Sequence, residues 1–163
     1  MCGGIFDRTI LATCERYDIE ANKWHTAPPL NVARQKHSGC CLGTKVYLFC
    51  GVDIRGAYLN SIEVLDAEAD RANGEDNDTA NETNMWRLIS PEVKMFPVRL
   101  HPLVATTPRN KILIMGGSSC NNNNGMGDVH VFDPVNERMY RNKSYMGTNL
   151  TSRNDFGFVS TNN

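Results

Sequence analysis

The sequence lacks the marks of several large classes of protein. No apolar run approaches the roughly 18–20 residues of a membrane-spanning helix, and no basic stretch followed by an apolar one opens the chain, so we expect neither a membrane span nor a signal peptide. The chain also lacks a large excess of positive or negative charge. The chain carries 17 basic and 18 acidic residues, a net charge of −1, which argues against a nucleic-acid binder held by bulk charge. With 163 residues, 40% of them hydrophobic, it can form one domain with a core.

The cysteines and histidines lack the spacing of a metal site. None of the six cysteines forms a C-x2-C pair, and the adjacent Cys40 and Cys41 would point to opposite faces of a strand. The four histidines are scattered along the chain. We therefore expect no metal and no cofactor. Without a signal peptide, the cysteines are expected to be reduced thiols in a cytoplasmic protein.

Three segments of the chain repeat one pattern. Each has an apolar run that ends in glycine, then a polar loop, then a strand with a large side chain, then an aromatic residue or methionine. The interval from Arg34 to Gly51 equals the interval from Arg99 to Gly116, 17 residues in each case, and this equality sets the predicted register. The pattern residues are Gly3, Gly4, Tyr17 and Trp24; Gly51, Leu65 and Trp86; and Gly116, Gly117, Phe132 and Met139.

The apolar runs predict strands rather than helices. Residues 46–50 and 112–115 are short apolar runs bounded by glycine, as is typical of strands buried on both faces. Residues 38–42 and 103–107 precede them across short turns, which predicts two hairpins.

One segment interrupts the second repeat. Residues 67–84 contain six acidic residues and one basic residue and are nearly devoid of apolar side chains. We predict a polar loop inserted between two strands. Its charge leaves the rest of the chain mildly basic.

At these residues the chain resembles the kelch repeat, in which a double glycine closes the second strand and a tyrosine and tryptophan follow about seven residues apart. Gly3-Gly4, Tyr17 and Trp24 match the motif fully, whereas Gly51-Val52, Leu65 and Trp86 match it loosely. The resemblance implies an all-β fold of kelch-type β-propeller blades, each a four-stranded antiparallel sheet. It also implies that the large side chains fill the gaps between blades.

The repeat phase implies an incomplete or open ring of about three blades. Residues 1–26 would form a partial blade, 37–89 a blade with the acidic insertion, 102–142 another blade, and 153–160 the first strand of a further one. A chain of this kind exposes two open ends. We expect either a fragment of a longer protein or a homodimer in which residues 153–160 of each copy complete the first blade of the other and close a six-blade ring.

The resemblance implies a protein–protein interaction module rather than an enzyme. One implied role is substrate recognition in a ubiquitin-ligase adaptor; the alternative is a cytoskeletal, actin-associated scaffold, and a propeller enzyme ranks third. The expected partner is a protein, with no nucleic acid and no membrane. Kelch binding faces use the loops that join second to third strands and fourth to first strands, which here carry the candidates Arg34, Lys36, Asp53, Arg55, Tyr58, Arg99 and His101.

Two readings remain open for the arginines of this set. A guanidinium group can hold a carboxylate or phosphate of a partner through two parallel hydrogen bonds. Alternatively, Arg34 and Arg99 make structural bonds between blades. Arg55 and Tyr58 lie within a loop and are the better contact candidates.

Overall fold

The computed structural model describes residues 1–68, 85–89, 98–119 and 126–141, and these form two four-stranded and three two-stranded antiparallel sheets. This confirms the predicted all-β fold of kelch-type blades, and within the described residues the sheets do not close into a ring. The predicted strand at 153–160 and most of the predicted insertion lie outside the described residues.

The first 27 residues form two separate two-stranded sheets, and the second of them, with the segment paired beside it, is called the first sheet below. A hairpin, β1 (Ile5–Phe6) with β2 (Thr9–Ile10), precedes the paired strands β3 (Cys14–Asp18) and β4 (Lys23–Ala27). Residues 1–3 add a further extended segment along β3, since Cys2 pairs with Cys14 in an isolated antiparallel bridge.

The second and third sheets each have four strands in sequence order. The second contains β5 (Ser38–Leu42), β6 (Lys45–Phe49), β7 (Ile62–Asp66) and β8 (Arg87–Ile89). A two-strand pair, β9 (Arg99–Leu100) with β12 (Ser118–Ser119), flanks the third, which contains β10 (Leu103–Thr106), β11 (Ile112–Met115), β13 (Val129–Asp133) and β14 (Arg138–Arg141).

The strand register shows that the predicted alignment of the glycines is wrong by one residue. Residues with φ near +60° and then near +90° follow the second strand of each sheet: Gly3-Gly4, Cys50-Gly51 and Gly116-Gly117. Gly51 therefore corresponds to Gly117, and Cys50 occupies the first glycine position. The cause is hairpin length. Ser38 pairs with Phe49 but Leu103 pairs with Met115, so the hairpin of the third sheet is one residue longer.

The second glycine of this pair is required by a close approach of the backbone. A Cβ atom on Gly51 would lie 2.6 Å from the carbonyl oxygen of Gln35, and one on Gly117 would lie 2.5 Å from that of Leu100. Both carbonyls belong to the segment that connects one sheet to the next. Glycine thus lets this connection cross the end of the second strand.

Two apolar clusters join the sheets in order. Leu48, Leu65 and Trp86 of the second sheet pack with Cys14 and Ala27 of the first sheet. In the same way the third sheet packs on the second through a larger cluster: Tyr47, Phe49, Ile62, Val64, Ile112, Ile114, Phe132 and Met139. The large residues on the third and fourth strands of each sheet therefore pack against the preceding sheet.

In the first sheet, Tyr17 and Trp24 occupy the positions of Leu65 and Trp86, but no sheet in the described part of the chain covers them. Tyr17 is paired with Trp24, and the centroids of their rings are 5.1 Å apart. Their exposed fractions are 44% and 54%, against 3% for Trp86. No sheet among the described residues lies on this side of β3 and β4, so the expectation that these two rings fill a gap between blades stays a prediction.

Candidate interaction face

The connection at residues 34–36 is hydrogen-bonded through its backbone to the loops of the first two sheets and to the next connection. On one side Gly4 N–H donates to the carbonyl of Arg34 (2.8 Å), so that the β1–β2 hairpin is tied to it. On the other side Gln35 and Val52 exchange two hydrogen bonds of 3.0 and 2.9 Å, which ties the loop after β6. Finally, His101 N–H donates to the carbonyl of Lys36 (2.9 Å). The loops of the first two sheets and the connection that contains His101 therefore lie at the same end of the sheets.

Four of the predicted binding residues are exposed at this end. Lys36 and His101 occupy equivalent positions in successive connections, with φ values of 57° and 48°. Arg55 and Tyr58 lie in the loop after β6, and Tyr58 is bridged to Val52. Their side chains bring cations and one aromatic ring to the surface.

Asp53 shapes the loop in which it lies. One carboxylate oxygen accepts hydrogen bonds from the backbone N–H groups of Arg55 and Ala57, each 2.8 Å long. Such a bond from an aspartate to residues two and four positions later stabilises a tight turn. The residue is half-buried, and its role in the structure is to hold Arg55 and Tyr58 in place.

Arg34 is inside the molecule, so its place in the predicted binding set is corrected. Its side chain has no exposed surface and donates to a carboxylate oxygen of Glu63 at 2.8 Å and to the carbonyl of Cys50 at 3.0 Å. The other carboxylate oxygen of Glu63 accepts the backbone N–H of Asn31 at 2.7 Å. Burial lowers the pKa of Arg34, and the charge of Glu63 opposes that shift. The pair fixes the connection onto the second sheet.

Arg99 occupies the equivalent position before the third sheet and is likewise buried. It is fully buried and donates to the carbonyl of Gly116 at 3.0 Å. The second terminal nitrogen of the Arg99 guanidinium group, Nη2, lies 3.1 Å from a carboxylate oxygen of Asp128 and 3.1 Å from Nδ1 of His130. Both arginines therefore make structural bonds, which was one of the two interpretations of the sequence. These bonds run from each arginine to the sheet that follows it in sequence.

His130 is held neutral by its surroundings. Burial is the main cause that lowers its pKa to about 4, and the cations of Arg99 and Arg141 add to the shift while Asp128 opposes it. The unfolded chain would bind a proton at a pKa near 6.5. Between these values the unfolded state holds the proton and the folded state does not, so stability is lost as the pH falls.

We expect a His130→Gln variant to show a flatter pH dependence than the parent. In urea titrations the unfolding free energy of the parent should fall between about pH 6.5 and pH 4, by up to about 1.4 kcal/mol per pH unit from this residue. The His130→Gln variant should lack this contribution to the fall of the unfolding free energy. His37, whose pKa burial also lowers, should keep some slope in both proteins. Parallel curves for the two proteins would contradict the assignment.

Exposed apolar residues at the same end were missed by sequence reasoning. Phe6 in the β1–β2 hairpin is 74% exposed, and Ile54 in the loop after β6 is 69% exposed. For Ile54 the signal in the sequence was an apolar side chain inside a turn, since turns are usually polar. We call Phe6, Lys36, Ile54, Arg55, Tyr58 and His101 the loop face.

The described residues contain no cluster of three His, Cys, Asp or Glu side chains that could hold a metal ion. In the same part of the chain, no helix is long and apolar enough to span a bilayer. The five cysteines in that part, Cys2, Cys14, Cys40, Cys41 and Cys50, are thiols.

Comparison with known proteins agrees with this architecture. The family model for the kelch motif matches residues 2–31, which include Gly3-Gly4, Tyr17 and Trp24. A segment of 59 residues is 42% identical to the human kelch-like protein 4; it covers 36% of this chain and 8% of that relative. These findings support a kelch-type module for protein–protein interaction. The matched motif and the repeated design of the sheets support a kelch-repeat protein.

Proposed function

We propose that the loop face binds a protein partner through an acidic segment that also carries an apolar side chain. One observation carries the proposal: the backbone of residues 34–36 is hydrogen-bonded to the first and second loops and to His101 of the next connection. Side chains from separate loops are thus held on a shared frame. A rigid frame lowers the entropy cost of ordering a binding surface.

The chemistry of the loop face favours such a segment. Lys36 and Arg55 are exposed cations, whereas the nearby carboxylate of Asp53 is occupied by two backbone N–H groups. Phe6 and Ile54 expose apolar surface that a partner would remove from water. Arginine and aromatic side chains are also enriched among residues that dominate binding energy.

A charge-reversal experiment tests the proposal. Peptides selected on the purified chain from a displayed random library should be acidic with at least one large apolar residue. Their affinity should fall by about tenfold or more for Lys36→Glu/Arg55→Glu. The matched control is Lys23→Glu/Arg138→Glu, which makes the same charge change at the first residues of β4 and β14, at the other end of the sheets. Equal losses in both variants would refute a specific loop face.

Two finer roles follow from the kelch resemblance. Substrate recognition in a cytoplasmic ubiquitin-ligase adaptor is the first, and an actin-associated scaffold is the alternative. Affinity purification from cell extract, probed for cullin-type ligase subunits and for actin, separates them. A partner lost with Lys36→Glu/Arg55→Glu but retained by the control variant would be the one bound at the loop face.

A homodimer is proposed on a separate observation. Tyr17 and Trp24 form an uncovered aromatic surface at the position where Leu65 and Trp86 of the next sheet are covered. A sheet from a second copy could cover this surface as the first sheet covers Trp86. The role predicted for residues 153–160 in closing a ring falls outside the described residues.

A further inference from the structure

Cys2 and Cys14 face each other across two antiparallel segments. Glu15 N–H donates to the carbonyl of Met1 at 2.7 Å, and Gly3 N–H donates to the carbonyl of Thr13 at 2.9 Å. The two hydrogen bonds flank the cysteine bridge without involving it. This is the non-hydrogen-bonded type of antiparallel pair, in which the Cα atoms lie about 4.5 Å apart and the side chains are closest. That separation lies within the range that a disulfide spans.

The two thiols already contact one another. A hydrogen bond between the side chains of Cys2 and Cys14, together with burial, raises the pKa of Cys14 above its usual range. Cys2 is half-exposed while Cys14 is buried. Two of the other described cysteines have different neighbours in register, because Cys40 pairs with Tyr47 and Cys41 with Val46.

We propose that Cys2 and Cys14 are a modification site: they form a reversible disulfide when the chain meets a small disulfide oxidant of the glutathione class. The half-exposed Cys2 reacts first. Its thiolate attacks one sulfur of glutathione disulfide, which forms a mixed disulfide and releases one glutathione thiolate. Cys14 then loses its proton to solvent and attacks the Cys2 sulfur, which expels the second glutathione thiolate. Two protein thiols are oxidised and one glutathione disulfide is reduced to two thiols.

The disulfide would join the edge of the first sheet covalently to β3. Residues 1–3 are held there by backbone hydrogen bonds, and Cys2 and Cys14 pack with Leu48, Leu65 and Trp86. Cross-linking removes the freedom of the chain between the two cysteines in the unfolded state. Oxidation should therefore raise the melting temperature and reduction should restore it.

Peptide mapping tests the linkage directly. The purified chain is incubated with glutathione disulfide, alkylated and digested with trypsin, which cleaves after Arg8 and Arg16 and so separates the two cysteines. The expected product is peptide 1–8 linked to peptide 9–16, lost on reduction, with a rise in melting temperature of several degrees. Cys2 that retains glutathione beside an alkylated Cys14, or that remains unmodified, would overturn the proposal.

Three controls distinguish native geometry from random oxidation. Cys41→Ser removes the exposed cysteine and should leave the linkage and the melting shift intact. Cys2→Ser should abolish both and leave Cys14 open to alkylation after unfolding. Oxidation in guanidinium should scatter Cys2 among the other cysteines. If the folded chain gives the same scattered pattern, the pair has no structural preference and the proposal fails.

Discussion

Replacing Glu63 with glutamine is expected to lower the free energy of unfolding by about 3–5 kcal/mol. The guanidinium group of Arg34 has no exposed surface, and Glu63 supplies the opposite charge at 2.8 Å. Removing that charge would leave a buried cation whose remaining partners, such as the carbonyl of Cys50 and the hydroxyl of Ser61, are uncharged. Urea denaturation of the parent and the Glu63→Gln variant measures the loss.

The chain offers a matched control for this ion pair. Arg87 and Glu137 also form an ion pair, but their side chains are 56% and 38% exposed. Glu137→Gln should therefore cost at most about 1 kcal/mol. The double variant Arg34→Met/Glu63→Leu should recover part of the loss, because it removes both charges together but leaves the backbone N–H groups of Asn31 and Val32 without their carboxylate acceptor. Equal losses for Glu63→Gln and Glu137→Gln would contradict a dominant buried pair.

Trp86→Ala is expected to destabilise the chain by about 3–5 kcal/mol. Trp86 is 3% exposed, packs in the cluster between the first and second sheets, and donates its indole N–H to the carbonyl of Pro28 at 2.9 Å. Truncation removes this packing and leaves a cavity between two sheets. Urea denaturation of the variant and the parent, at one protein concentration, measures the difference.

Trp24→Ala makes the same chemical change at the equivalent position of the first sheet. Because Trp24 is 54% exposed, the variant should lose less than about 1 kcal/mol when the chain is dilute and monomeric. Light scattering of concentrated samples reports on the proposed homodimer: the parent should show the mass of a dimer and Trp24→Ala that of a monomer. A parent that stays monomeric would refute the homodimer, and equal stability losses for Trp24→Ala and Trp86→Ala would refute the packing order of the sheets.

Much of the fold could be predicted because strands and tight turns depend on local sequence. The predicted strand at Ser38–Leu42 matches β5, and the run at Ile112–Met115 matches β11. The two-residue turn between β5 and β6 requires a positive φ at Gly43, which glycine adopts without strain. Lys36, Arg55, Tyr58 and His101 were found for the same reason, since they lie in segments that join strands.

The sequence by itself determined the strands, the turns and the repeat, and the tertiary structure decided which repeat residues are buried. Arg34 meets Glu63 only because β7 returns beside the connection, and nothing in the spacing of the motif names that carboxylate. Trp24 and Trp86 occupy equivalent positions, yet their burial differs because a sheet packs on one of them. The physical reason is that burial is a property of the neighbouring sheet, which the residues of a single repeat do not encode.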